Sequence, residues 1–134
     1  MEIVLKKVSP HLYAIMRIII GLSFAVHGSQ KLFGMPGGKT PVALASLMGF
    51  AGIIEFVGGL LVAFGLLAGY AAFIASGQMA FAYFMVHFKQ GFWPTLNGGE
   101  LAVLYCFIFL FIASHGSGVW SIDAIIKAMR KPTS

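Results

Sequence analysis

The sequence predicts an all-α membrane protein: a polytopic four-helix bundle with a short C-terminal interfacial helix. Of its 134 residues, 59% are hydrophobic and 10% are charged, whereas soluble domains carry about 25% charged residues. The apolar residues form four continuous runs of roughly 20 residues, the length that crosses a hydrocarbon core about 30 Å thick. Glycine and proline separate the runs, and none shows the apolar–polar alternation of a barrel strand.

We expect a single membrane domain over residues 1–134. A short basic lead-in ends at Pro10, and the sequence then predicts membrane spans over about residues 11–33, 42–67, 70–88 and 98–114. Ala68 and Gly69 leave room only for a tight turn, so the second and third spans are expected to be antiparallel neighbours.

The last segment, residues 121–131, has the pattern of an amphipathic surface helix. Ser121 is a good N-cap residue, and Asp123 suits the first helical turn. Apolar residues recur at i, i+3, i+4 and i+7, whereas the basic residues occupy other positions. We therefore expect this helix to lie on the inner membrane surface. Its apolar positions are Ile122, Ile125, Ile126 and Met129, and its basic ones are Lys127, Arg130 and Lys131.

The net charge of +5 does not indicate binding to nucleic acid. Five of the nine basic residues lie near the two chain ends, where they flank membrane segments: Lys6, Lys7, Lys127, Arg130 and Lys131. The positive-inside rule predicts this distribution for cytoplasmic termini. The first apolar run contains Arg17 and lacks a small-residue cleavage site. We therefore expect it to remain as a span rather than to be removed as a signal peptide.

The first span carries a polar flank. At 100° per residue, Arg17, His27 and Lys31 lie close to Gly21 and Gly28 on one side of the helix. Charges within a membrane helix normally face protein or a polar cavity, and small residues allow a second helix to approach. This flank is therefore predicted to face another helix.

Glu55, in the middle of the second span, is the strongest candidate for chemistry. A carboxylate in hydrocarbon needs a partner, and Arg17, Lys31 and His27 are the available ones. Two interpretations stay open: an ion pair that only orients helices, or a carboxylate in a polar cavity that handles protons or binds a head group. Glu100 has a simpler interpretation, because 97–100 resembles a capping box that opens the fourth span.

Several cofactors can be considered from the remaining polar residues. His27 and His87 are the only pair suited to bis-imidazole haem ligation, and their spans need not face each other, so we do not expect haem. Cys106 is the single cysteine, which excludes a Cys-x-x-Cys pair and a four-cysteine iron–sulfur site. No metal-ligand spacing and no nucleotide-binding glycine loop is present.

A quinone fits better, because its head group needs a few donors beside an apolar groove. The ligand- or quinone-binding candidates are Arg17, His27, Lys31, Glu55, His87 and Glu100.

Short motifs occur in order over most of the chain: R-x-x-x-G at 17–21, H-G-x-x-K-L at 27–32, E-x-x-G-G at 55–59, an approximate L-x-x-G-x-L-L at 61–67, N-G-G-E-L at 97–101 and G-x-G-x-x-S-x-D at 116–123. Together they resemble the DoxX family of small four-helix bacterial membrane proteins. The resemblance implies a four-span bundle in the bacterial inner membrane. Some relatives look like membrane subunits of quinone-linked oxidoreductases, including DoxD-type thiosulfate:quinone systems, and others are associated with oxidative-stress complexes.

These observations lead to three hypotheses. The first is a non-catalytic or partner-dependent subunit of a quinone-linked oxidoreductase, with Glu55 as the proton acceptor or donor and His27 or His87 as the partner of the quinone oxygen. The second is a structural or accessory protein whose polar residues only lock the bundle. The third is a small oligomeric transporter, which ranks last because four short spans leave little room for a pore. In each case the expected partners are the lipid bilayer and either another subunit or further copies of the chain.

Overall fold

The computed structural model describes residues 1–130, which form helices and turns with no β-strand among them. Three helices are long and apolar enough to cross a membrane: Glu2–Phe33, Leu47–Phe64 and Ala68–Gln90. A fourth apolar helix, α6 (Glu100–His115), has 16 residues. At 1.5 Å per residue it is about 24 Å long, slightly less than a typical hydrocarbon core of about 30 Å.

The first helix, α1 (Glu2–Phe33), is longer than the predicted span. The lead-in is helical, and Pro10 lies inside the helix instead of preceding it. Proline has no N–H to donate to the carbonyl of Lys6, and its ring crowds that carbonyl. The turn before it keeps its helical form, with Glu2 and Lys6 paired at 3.3 Å on the surface.

The second and third long helices are each interrupted by a π-helical turn, which the sequence pattern did not predict. Such a turn holds an extra residue and widens the helix locally. The second helix consists of α2 (Leu47–Ile53), the π-turn Ile54–Gly58 and α3 (Gly59–Phe64). The third consists of α4 (Ala68–Ala82), the π-turn Tyr83–His87 and the 3₁₀ turn Phe88–Gln90.

The polar flank of α1 faces the second helix, as predicted. A Cβ atom at Gly28 would lie 2.3 Å from the backbone nitrogen of Phe56, and one at Gly59 would lie 2.6 Å from the carbonyl oxygen of Gly21. No side chain fits into these gaps. The glycines thus bring the two helices into backbone contact, which is how small residues act in membrane helix pairs.

The turn between the second and third helices consists of residues 65–67, slightly earlier than predicted. Gly65 and Leu67 both have positive φ angles, 67° and 51°. The strained Leu67 is held from outside, because its backbone N–H donates to Asp123 Oδ2 at 2.9 Å. The C-terminal segment therefore fixes this turn, and α4 starts directly at Ala68.

The remaining core lies between α4 and α6 and includes the inner face of α1. Alanines of α4, among them Ala72 and Ala75, are fully buried and allow α6 to approach closely. Phe24 of α1 packs edge-on against Phe109 of α6 with a centroid separation of 4.6 Å, and Tyr105 stacks on the same ring at 5.6 Å. These aromatic contacts fill the centre of the protein.

Two short helices complete the described chain: α5 (Pro94–Asn97) and α7 (Ile122–Met129). The Ser121 hydroxyl accepts a hydrogen bond from the N–H of Ala124 at 3.1 Å, so the predicted N-cap is confirmed. The apolar face of α7 remains exposed, with Ile125 60% and Met129 72% accessible, as an interfacial helix requires. The last basic position predicted for this helix, Lys131, lies outside the described residues.

Candidate ligand-binding site

A cavity of about 680 Å³ opens where one end of each apolar helix meets the others. The C-terminal part of α1, the N-terminal part of α2, the end of the third helix and the start of α6 all contribute to its wall. The wall is mostly apolar and combines aromatic and aliphatic groups. Its apolar side chains include Phe24, Leu47, Met48, Phe50, Ile54, Ile74, Met79, Phe81, Met85 and Leu101.

A cluster of three polar side chains lines one part of this cavity. Lys31 Nζ donates to Glu55 Oε1 at 2.5 Å, and Gln78 Nε2 donates to the same oxygen at 2.9 Å. Gln78 Nε2 also lies 3.3 Å from the carbonyl oxygen of Ala51. Since both contacts of Nε2 are acceptors, they fix the orientation of the Gln78 amide. The cluster joins three helices and identifies Lys31 as the partner of Glu55.

Two oxygen atoms of this cluster are buried without a hydrogen bond. Glu55 Oε2 and Gln78 Oε1 find no donor anywhere in residues 1–130. The Glu55 side chain is only 3% exposed. A buried acceptor left unpaired typically costs about 1–3 kcal/mol. The cluster therefore has unused capacity to accept hydrogen bonds.

Gln78 was not among the predicted site residues. The sequence contained one signal for it: an amide in the middle of the otherwise apolar third span. Its position along the third span does not show that α4 brings this amide to Glu55, so the sequence does not predict its role in the site. The contact depends on how the second and third helices pack together.

Both predicted histidines line the same cavity. The His27 ring meets Tyr105 edge-on with a centroid separation of 6.1 Å. His87 Nδ1 lies 3.2 Å from the carbonyl oxygen of Asn97. Because a carbonyl can only accept, Nδ1 is the donor, and Nε2 of a neutral His87 ring is left as an acceptor. The cavity thus adds two half-buried imidazoles to the polar cluster.

The π-turns contribute directly to this site. Glu55 lies in the first π-turn and His87 in the second. An extra residue in a helical turn changes the direction of the side chains around it, and such turns are frequent at functional sites. The second and third helices are therefore irregular at the predicted residues Glu55 and His87.

Asn97 has a different role from the one predicted. It ends α5, and its side chain donates to the carbonyl oxygen of Gly91 at 2.8 Å and accepts from the N–H of Gly99 at 2.8 Å. The expected capping box is wrong: Gly99 is the N-cap of α6 and no side chain caps it. Glu100 is exposed and does not line the cavity. The buried amide is used to order the loop instead.

Arg17 lies away from the cavity and is fully buried. Its Nη1 donates to the carbonyl oxygens of Val62 and Ala63 at 2.6 and 2.7 Å, and its Nη2 donates to that of Trp120 at 2.8 Å. The first two carbonyls belong to the last turn of α3, where a cation is favoured, and that of Val62 also accepts from the N–H of Gly65 at 3.2 Å. Arg17 thus ties α1 to α3 and to the segment before α7.

Other reactive side chains form no comparable group. Across residues 1–130, no three side chains of the His, Cys, Asp or Glu type lie together so that they could hold a metal ion. Cys106 is half-buried, and its sulfur lies 3.5 Å from the Ser76 hydroxyl, which donates to the Cys106 carbonyl. The polar end of the cavity is consequently the strongest candidate for a functional site.

Known proteins similar to this chain agree with the predicted resemblance. The DoxX family profile matches residues 12–88, which include α1 from Leu12 onward and both π-turns. An uncharacterised protein of Haemophilus influenzae strain Rd is 40% identical over 126 residues, covering 89% of this chain and 93% of the relative. CatD of Bacillus subtilis strain 168, whose name proposes an oxidoreductase, is 28% identical over 121 residues, covering 87% and 88%. No solved structure matches significantly. The chain belongs to the DoxX family.

Proposed function

We propose that this protein is a four-span subunit of a quinone-linked oxidoreductase or oxidative-stress complex, and that its cavity binds a quinone or quinol. One observation carries the proposal. A largely apolar cavity ends at the Lys31–Glu55–Gln78 cluster, which holds two buried oxygens without partners in the described chain. A site for an amphiphile with a polar ring and an apolar tail needs this combination.

The residues present fit such a ligand. The cavity volume of about 680 Å³ lies within the 300–1,000 Å³ that small-molecule sites usually occupy. The apolar wall would hold the ring and the start of the tail. Lys31, His27 and His87 would approach the ring oxygens, and Glu55 would hold or release a proton at Oε2. When bound, the quinone supplies two-electron, two-proton chemistry.

A partner has to exchange the electrons in this proposal. The chain contains a single cysteine and hence no dithiol pair. The oxidoreductase name belongs to CatD, a distant relative, and supports the redox class only in general terms. We therefore propose a subunit that binds quinone and handles protons, while another protein or a second copy completes the reaction.

The membrane arrangement is also part of the proposal. We place α6 as the fourth crossing, which a slightly thin or locally compressed bilayer accommodates at modest cost. Both termini would face the cytoplasm of a bacterial inner membrane. The exposed helix α7 and the basic start of α1 would then lie together at the cytoplasmic surface, where positive charge is favoured.

A purely structural role is the second candidate. It is favoured by Arg17, whose side chain donates only to backbone carbonyls and reaches no cavity. If the same were true of the Lys31–Glu55 pair, the cluster would lock three helices and bind nothing. The two candidates differ in one measurable property, the affinity of the cavity for a quinone-type molecule.

The proposal is tested by titrating the purified protein in lipid nanodiscs with a decyl-substituted benzoquinone and with its hydroquinone. We expect saturable binding of at least one form by calorimetry. Glu55→Gln should weaken it at least tenfold, since a hydrogen bond to a charged group contributes about 1.5–3 kcal/mol.

Glu100→Gln is the matched control, because it removes an exposed carboxylate on the same side of the protein but outside the cavity. It should leave the affinity unchanged. An unaltered affinity in a folded Glu55→Gln protein would remove Glu55 from the site. The absence of binding by the unmodified protein would favour the structural role.

A further inference from the structure

We infer that the cavity prefers the reduced, hydroquinone form of its ligand, because its buried polar atoms without partners are hydrogen-bond acceptors. The inference rests on the proposed function and specifies which redox state the site recognises. The two atoms are Glu55 Oε2 and Gln78 Oε1, both on side chains that line the cavity.

The identity of the Gln78 atom is determined by its surroundings. Its Nε2 contacts Glu55 Oε1 at 2.9 Å and the Ala51 carbonyl oxygen at 3.3 Å, and both are acceptors. Turning the amide over would place Oε1 against two other oxygens. The amide nitrogen is therefore used, and the amide oxygen is the atom that remains unpaired.

The donors of the cluster differ in how far they are engaged. Both N–H groups of Gln78 Nε2 have acceptors, whereas Lys31 Nζ, 2.5 Å from Glu55 Oε1, keeps further N–H groups on a side chain that is 26% exposed and open to hydration. At the cavity wall formed by the second π-turn, His87 Nδ1 donates to the Asn97 carbonyl oxygen at 3.2 Å, which leaves Nε2 of the neutral ring as an acceptor. The buried uncommitted atoms beside the cavity, Glu55 Oε2 and Gln78 Oε1, are thus both acceptors, whereas the N–H donors that Lys31 and His27 retain belong to partly exposed side chains.

The two redox forms of the ligand differ in this property. A quinone carries two carbonyl oxygens, which only accept, whereas a hydroquinone carries two hydroxyl groups, which donate. The terminal torsion of a glutamate is soft, so rotation about it can turn the buried Oε2 towards the cavity. A hydroquinone would satisfy the unpaired oxygens, and a quinone would leave them unpaired and face them with further oxygens.

A site that is built to accept a hydrogen bond from a hydroxyl discriminates strongly against an analogue without one. For a decyl-substituted benzoquinone and its hydroquinone, we expect the hydroquinone to bind at least tenfold more tightly to the unmodified protein in nanodiscs. In Glu55→Gln, whose amide supplies a donor as well as an acceptor, the ratio should fall towards one. Glu100→Gln should keep the original ratio.

A second pair of probes separates hydrogen bonding from redox chemistry. 4-Decylphenol carries one hydroxyl donor, and its methyl ether has nearly the same shape without it. We expect the phenol to bind at least tenfold more tightly than the ether. This comparison uses only the unmodified protein, so it remains decisive if Glu55→Gln does not fold.

The outcomes distinguish the two proposals. Equal affinities for the two redox forms, or tighter binding of the quinone, would overturn the preference for the hydroquinone while leaving a quinone-binding function in place. Equal affinities for the phenol and its ether would overturn it as well. If none of the four probes binds, the proposed function itself fails.

Discussion

Lys31→Met is expected to lower the free energy of unfolding by about 2–4 kcal/mol. The substitution removes the cation that lies 2.5 Å from Glu55 and leaves a side chain that is only 3% exposed with its charge uncompensated. The expected loss is at the lower end for a broken buried pair, because the Lys31 side chain is 26% exposed. Unfolding in mixed micelles of increasing denaturing detergent would measure the change.

The double variant Lys31→Met/Glu55→Gln gives the sharper comparison. Removing both charges should recover most of the lost stability, since an apolar or neutral replacement of a buried ion pair is often well tolerated. Lys89→Met removes an exposed lysine and should change little. Additive losses in the double variant would contradict a coupled pair and would mean that Lys31 and Glu55 act separately.

Arg17→Met is expected to be the most destabilising single substitution, with a loss of about 3–5 kcal/mol. The guanidinium is fully buried and donates to Val62, Ala63 and Trp120 at 2.6, 2.7 and 2.8 Å. Methionine fills similar space but leaves these three carbonyls without their charged donor. The same detergent titration measures the loss, together with limited proteolysis of the segment before α7.

The matched control is Arg130→Met, which replaces an exposed arginine at the end of α7. It should leave stability nearly unchanged, because exposed charges contribute little. Arg17→Met should also leave the affinity of the folded fraction for hydroquinone nearly intact, since Arg17 does not line the cavity. A specific loss of affinity without a loss of stability would contradict the purely structural role given to this residue.

Much of the architecture could be predicted from the sequence because hydrophobicity and helical periodicity are strong signals. The flank that carries Gly21 and Gly28 faces another helix for the reason predicted: only glycine permits the observed backbone contact. The Ser121 N-cap could likewise be predicted from the sequence, since capping depends on a few neighbouring residues. The motifs that resemble the DoxX family, Glu55 among them, led to the correct family.

The details of the site depended on information that a helical wheel does not contain. The π-turns that hold Glu55 and His87 leave no periodic signature in the sequence. Asn97 matched a capping box in sequence, but its amide found nearer partners in the loop. The choice among Arg17, Lys31 and His27 as the partner of Glu55 required the actual helix positions, and Lys31 is the residue in contact.

The polar residues of the membrane segments therefore fall into two groups. Arg17 stabilises the end at which α3 meets the C-terminal segment, and every one of its partners is a backbone carbonyl. Lys31, Glu55 and Gln78 border a cavity and retain unused acceptors among residues 1–130. Arg17 also has one buried atom without a partner, Nε, but its side chain does not line the cavity, whereas the unpaired oxygens belong to side chains that do.

The most direct measurement is mass spectrometry of the lipids extracted from gently purified protein, preceded by an absorbance spectrum of the same sample. We predict stoichiometric quinone or quinol with the unmodified protein and its loss with Glu55→Gln, while Glu100→Gln retains it. A haem Soret band would instead assign His27 and His87 to a metal-bound cofactor. Ordinary phospholipid alone, in a protein that also fails to bind added hydroquinone, would contradict a ligand-binding cavity.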